Sequence, residues 1–177
     1  FEEIKKKFPP SNFEMHIAIS YRKLNQVREQ KYLEAKKLGY SLANYISKDS
    51  YINHSVIFGD NCFILENQTI QKNVNIGSNV MIWSGNHIGH GTKINNHTYL
   101  SSHIVLSGNC EIGERCFFGV NSSVADFCKI GDDCFVGMGS NVSRNLKNKM
   151  SALNNSTKYF NESDKTINVI KKKYFKF

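Results

Sequence analysis

Residues 83–103 read WSGNHIGHGTKINNHTYLSSH and hold His87, His90, His97 and His103, four of the chain's six histidines. Two kinds of chemistry draw on such residues. A catalytic zinc needs three side-chain ligands within about 2.1 Å. Proton transfer needs only one imidazole, since an ordinary pKa near 6.5 lets it take a proton from an attacking amine or hydroxyl at neutral pH. The spacing favours the second. His87 and His90 have two residues between them, and His97 and His103 lie one six-residue step apart. Neither spacing gathers three ligands at one point, although a site fed by two copies of the chain stays open. Cys62, Cys110, Cys116, Cys128 and Cys134 contain no C-x-x-C pair that would suggest zinc or a redox centre.

The elements that hold these residues follow from a repeat. From Ile46, every sixth residue up to Val142 is large and apolar, passing through Ile88, Ile94 and Leu100. Periodicity of this kind outranks local propensity. Six steps turn an α-helix by about 600°, so a helix cannot keep these residues on one face. A plain strand would instead need an apolar residue at every second position. The pattern predicts an all-β fold: a left-handed parallel β-helix of hexapeptide repeats, three short strands per coil. Each coil rises by about 4.8 Å, and residues eighteen apart stack in columns.

The slot four residues after the anchor holds small or branched residues and all five cysteines. These are expected to be buried, reduced thiols. The slot after the anchor is often glycine (Gly59, Gly77, Gly89, Gly113, Gly119, Gly131, Gly137), read as relief for the turn between strands. Gly85, Gly108 and Gly139 lie outside it and are candidates for backbone that approaches a ligand.

None of the four histidines occupies an anchor or the small-residue slot, so all are expected to point outward or sit at corners rather than in the core. Gly108 lies eighteen residues after His90 and therefore directly above it. A base and a backbone N–H about 5 Å apart suit attack on a carbonyl carbon, whose oxygen gains negative charge. Trp83 and Asn86 are expected to project outward beside His90. With His87 and His103 they form the candidate substrate-binding set. Trp83 could equally pack between subunits, and His97 is read as a surface or subunit contact.

Net charge is +8, but residues 46–147 balance to −1 and the flanks carry +9. The repeat is thus no basic groove for nucleic acid, and the lysine runs at 5–7 and 171–173 read as solvated surface. No apolar run reaches the ~18 residues of a membrane span. No signal peptide is visible, so the cytoplasm is the expected compartment. Residues 13–20 predict a strand, 21–38 a helix stopped by Gly39, and 40–46 a second strand: a partial α/β unit, expected to continue upstream of Phe1. The repeat gives way to a polar, basic extension over 148–177, with a terminal strand or helix in TINVIKKKYFKF.

Over residues 13 to about 145, the hexads, GNHIGHGTKI and FFGVNSSV resemble the left-handed β-helix sugar acetyltransferases of the sialic-acid O-acetyltransferase and bacillosamine-pathway N-acetyltransferase type. The resemblance implies a homotrimer. It makes residues 1–45 part of a nucleotide-sugar-binding domain and 46–147 the acyltransferase domain. It lays acetyl-CoA in the cleft between two subunits, past Gly119, Val120, Gly137, Met138 and Gly139. His90 becomes the general base, and the Gly108 amide faces the thioester carbonyl. No metal is implied. The acceptor is a sugar or nucleotide-linked amino sugar, acetylated on nitrogen or, alternatively, as the O-acetyl ester of a sialic acid or related sugar. Bacillosamine-type enzymes place an acidic residue directly after the histidine, where this chain has Gly91. A metal-binding or non-catalytic prism of the carbonic-anhydrase type is the alternative of another class.

Overall fold

The computed structural model describes residues 3–155 and, beyond them, Lys165, Val169, Lys171 and Lys173, each helical. The rest of the TINVIKKKYFKF segment lies outside the described residues. The hexads wind into a left-handed parallel β-helix with three faces. Face 1 has seven strands, from Tyr45–Ile46 to Ser151–Ala152; face 2 has six, from Tyr51–Ile52 to Asn141–Val142; face 3 has five, from Ile57–Phe58 to Lys129–Ile130. Each strand is two residues long, and its register with the next coil is eighteen, as in Tyr99↔Phe117 and His87↔Val105. The anchors Ile64 to Val142 fill the interior, together with the five cysteines. All five are free and buried. Burial pushes the Cys62 and Cys110 thiols up to about 11 and Cys116 to about 12. They are therefore packing groups rather than nucleophiles.

The turn follows a rule that the glycines alone do not reveal. Every sixth residue from Asn61 to Gly139 has positive φ, three places after the anchor. Asn and Gly fill most of these left-handed positions, as their low cost there predicts. The glycines directly after the anchor have ordinary φ. They are needed because the next coil runs close above: a Cβ on Gly89 would meet Ser107 C at 2.5 Å, and one on Gly119 would meet Met138 N at 2.5 Å. Gly85 and Gly139 occupy these turn positions, with φ of +78° and +66°. The repeat ends by shortening. Phe135 pairs with Ser151 and Ile130 bridges Leu146, a register of sixteen.

The N-terminal residues pack against the outside of the prism. Two helices lie here, α1 (Ile4–Lys7) and α2 (Gln26–Lys37), and α2 buries Arg28, Tyr32 and Ala35 on one face. It ends in a Schellman turn, with Gly39 N–H donating to Lys36 O (2.9 Å) and Tyr40 N–H to Ala35 O (3.2 Å). The strands expected on either side shrink to one parallel bridge, Met15↔Leu42, while Tyr45–Ile46 already belongs to face 1. Alternation of apolar residues mimicked a longer strand, but no third chain segment pairs with it here.

Candidate active site

The structure sorts the candidate residues onto two corners. His90 and Gly108 lie on the corner between faces 2 and 3, and Gly119, Val120, Gly137, Met138 and Gly139 on the corner between faces 1 and 2. Face 2 separates them, and one face spans on the order of 15 Å of extended chain.

At the first corner, His90, Gly108 and Asp126 form one column. His90 is exposed, and its ring sits against Gly108: a Cβ there would lie 2.8 Å from His90 Cε1, 3.0 Å from Nε2 and 3.2 Å from Asp126 Oδ1. The missing side chain leaves a notch with an imidazole on one side and a carboxylate on the other. The Gly108 N–H donates to Asp126 Oδ1 at 2.8 Å, so the amide set against the thioester by the resemblance already has an acceptor. His90 N–H donates to Gln71 Oε1 at 2.9 Å, and His90 Nδ1 lies 3.2 Å from the same oxygen. Neither Gln71 nor Asp126 stood out in the sequence. Both left a signal: Gln71 is a long polar residue in a slot that favours glycine, and Asp126 is the next member of the His90–Gly108 column.

At the second corner and along face 1 runs an open groove of about 570 Å³, lined by Tyr21, Trp83, Tyr99, Phe117, Gly119, Val120, Phe135 and Met138. Its floor is a column of outward aromatic residues. Tyr99 stacks on Phe117 at 5.3 Å and Phe117 on Phe135 at 5.6 Å. Tyr21 closes on Tyr99 and Phe117 edge-on, at 5.0 and 4.9 Å. Trp83 is therefore grouped with the Gly119–Val120 corner and not with His90, because it precedes His90 by a whole face.

Two expectations change. Asn86 does not project outward: it is buried in the corner, where Ile104 N–H donates to its Oδ1 at 2.6 Å and its amide donates to Trp83 O. It belongs with Gln68 to the small-residue slot, and stitches successive coils. His97 is not a surface histidine either. It is 6% exposed, covered by α2, with Asn79 on Nδ1 at 2.8 Å and Tyr32 edge-on at 5.4 Å. The outside of the prism here is the inside of a second packing layer. His103 is a positive-φ turn residue (φ +58°) whose ring lies against Gly85. His87 sits half-buried on face 2 between Thr69 and Val105. Among the described residues, no three His, Cys, Asp or Glu side chains gather as a metal's ligands would. No helix among them is long and apolar enough to cross a membrane.

Residues 109–144 match the bacterial transferase hexapeptide family (six repeats). That match covers part of the prism, and the fold as a whole is the left-handed β-helix of solved sugar acetyltransferases. Among solved structures it is similar to the perosamine N-acetyltransferase PerB from Caulobacter crescentus in complex with CoA and GDP-perosamine. The identity is 26% over 85% of this chain and 70% of that one, with a TM-score of 0.79. A histidine-to-asparagine variant of the same enzyme, with the same two ligands, matches at 25% identity, 85% and 69% coverage and TM-score 0.79. The acetyltransferase domain of PglB from Neisseria gonorrhoeae, in complex with acetyl coenzyme A, shares the hexapeptide-repeat fold: TM-score 0.80, 21% identity, 89% of this chain and 75% of that one. No curated protein matches the chain.

Proposed function

We propose that this chain transfers the acetyl group of acetyl-CoA to the amine of a nucleotide-linked amino sugar, with His90 as general base. The observation that carries the reading is His90 Nε2 opening on the Gly108 notch, on a fold shared with a sugar N-acetyltransferase that binds CoA and GDP-perosamine. In this reaction the acceptor nitrogen attacks the thioester carbonyl and its N–H proton passes to Nε2. The C–S bond then breaks, and the CoA thiolate leaves and is protonated. No covalent enzyme intermediate forms, in keeping with cysteines that burial keeps as thiols. For Gly108 N–H to serve the carbonyl oxygen it must exchange Asp126 for it. The released carboxylate then faces the imidazole across the notch, where it stabilises the positive charge that develops on the amine nitrogen as it attacks.

Because one chain keeps His90 and the Gly119–Met138 corner a face apart, the reading includes a homotrimer in which the two corners come from neighbouring copies. Residues 1–45 hold part of the nucleotide-sugar, and the compartment is the cytoplasm. The test is turnover of acetyl-CoA with a panel of nucleotide-linked amino sugars and with sialic acids. Amide product is expected; a product cleaved by hydroxylamine would instead mark ester formation on a sugar hydroxyl. His90→Ala is expected to lower the rate by about 10²–10⁴-fold, and full turnover in that variant overturns the assignment of the base.

A further inference from the structure

The Gly108 notch removes a hydrogen-bond cap as well as a Cβ. In several coils of the prism, the side chain two places after an anchor accepts the N–H of the residue one coil below. Asn96 takes Ser78 N–H, Asp126 takes Gly108 N–H and Asp132 takes Glu114 N–H, each at 2.8 Å. Glycine at 108 cannot do this for His90. The orphaned His90 N–H turns instead to Gln71 Oε1, and brings that oxygen to 3.2 Å from His90 Nδ1.

The chemistry of these contacts fixes the protons. A backbone N–H can only donate, so the Gln71 atom facing it is the carbonyl oxygen and not the NH₂. An amide oxygen can only accept, so the neutral imidazole must carry its proton on Nδ1. The lone pair is then on Nε2, the nitrogen beside the notch. Gly91 offers no side chain that could do this instead. We infer that Gln71 is a positioning residue: it fixes the tautomer and orientation of His90 so that Nε2 is the nitrogen free to accept a proton. Its bearing on turnover rests on the proposed acetyl transfer; the tautomer itself does not.

Nitrogen-15 NMR of the imidazoles, with His90 assigned by its loss in His90→Asn, tests the tautomer directly. The Nδ1–H form is expected in the intact chain, with a mixture of tautomers in Gln71→Leu. An Nε2–H form, or no change in Gln71→Leu, overturns the inference whatever the protein catalyses. In turnover, Gln71→Leu is expected to lower kcat roughly 10-fold or more, a part of the general-base contribution, without moving KM for acetyl-CoA. Gln71→Glu keeps the acceptor for both N–H groups and adds a charge that stabilises the imidazolium, so turnover returns and the acid limb of the pH profile moves upward. If that limb stays in place, Gln71 caps the backbone only and the positioning role fails. A chain that transfers no acetyl group fails the functional reading instead, and leaves the NMR result to decide on Gln71.

Discussion

Two glycines on adjacent coils separate a residue kept for the fold from one kept for the site. A Cβ on Gly89 would meet backbone, Ser107 C at 2.5 Å and Gly108 N at 2.6 Å. A Cβ on Gly108 would meet the far end of the His90 side chain, at 2.8 Å from Cε1, and Gly108 has no positive φ to strain. Gly89→Ala is therefore expected to lower the unfolding midpoint by several degrees, in line with an overpacking penalty of about 1–3 kcal/mol. Gly108→Ala is expected to leave that midpoint nearly unchanged while turnover falls about 10²-fold, because the imidazole is pushed out of the notch. Thermal denaturation alongside the acetyl-transfer assay separates the two. The His90–Gly108 pair was legible in the sequence because a period of eighteen turns sequence distance into contact. Gln71 and Asp126 were not, because their role depends on which side-chain oxygen meets which N–H, and a period carries no such information.

Helix α2 is held to the prism by directional polar contacts more than by apolar area. The Arg28 guanidinium donates to His97 O at 2.6 Å and to Asn25 Oδ1 at 3.0 Å, with burial drawing its pKa down to about 10. Beside it a chain of amides runs in one direction only. Ile17 N–H donates to Asn61 Oδ1 at 2.7 Å; Asn61 Nδ2 donates to Asn79 Oδ1 at 2.8 Å; Asn79 Nδ2 donates to His97 Nδ1 at 2.8 Å. Since the first donor is a backbone N–H, the last contact requires an unprotonated Nδ1. Burial also holds the His97 pKa below its ordinary value, against the pull of Glu29. In the unfolded chain the same imidazole binds a proton near pH 6.5. The stability this group contributes is therefore complete above about pH 6.5 and is lost as pH falls toward the lower folded-state value. The expected result is a midpoint that drops between about pH 7 and 5 in the wild type and is flatter in His97→Gln, read by thermal denaturation across that range. A flat wild-type profile would count against this account of the docking. None of this is readable from the helix sequence: its apolar residues Leu24, Val27, Ala35 and Leu38 recur at helical spacing, yet the buried face is Arg28, Tyr32 and Ala35. Its partner is a column of turn residues that face outward in every coil, so burial there depends on a second layer that the hexads do not encode.

At the scale of the whole molecule, the prism fixes what a single copy can do. Stacked coils contact only their neighbours, so the architecture was legible from one period, and the same rigidity keeps the corners apart. His90 and the Gly119–Met138 corner cannot approach each other without unwinding face 2. Two large apolar side chains nevertheless stand in solvent, one on each corner: Phe127, 71% exposed at a positive-φ position, and Met138, 74% exposed. A bulky residue in the left-handed region costs about 1–2 kcal/mol, which a contact between copies would offset. The proposed composite site makes a specific prediction. His90→Ala and the double variant Val120→Asp, Met138→Asp each lack one half of it, so each alone is expected to lose at least about 10²-fold in turnover. Mixed trimers, made by unfolding the two variants together and refolding them, contain interfaces with an intact His90 corner on one copy and an intact Val120–Met138 corner on the next. Those interfaces should raise turnover well above the residual rate, while either variant refolded alone stays at that residual rate. If both corners of one chain served the same site, no mixture could restore activity, and a mixed sample as silent as its components would refute the shared interface.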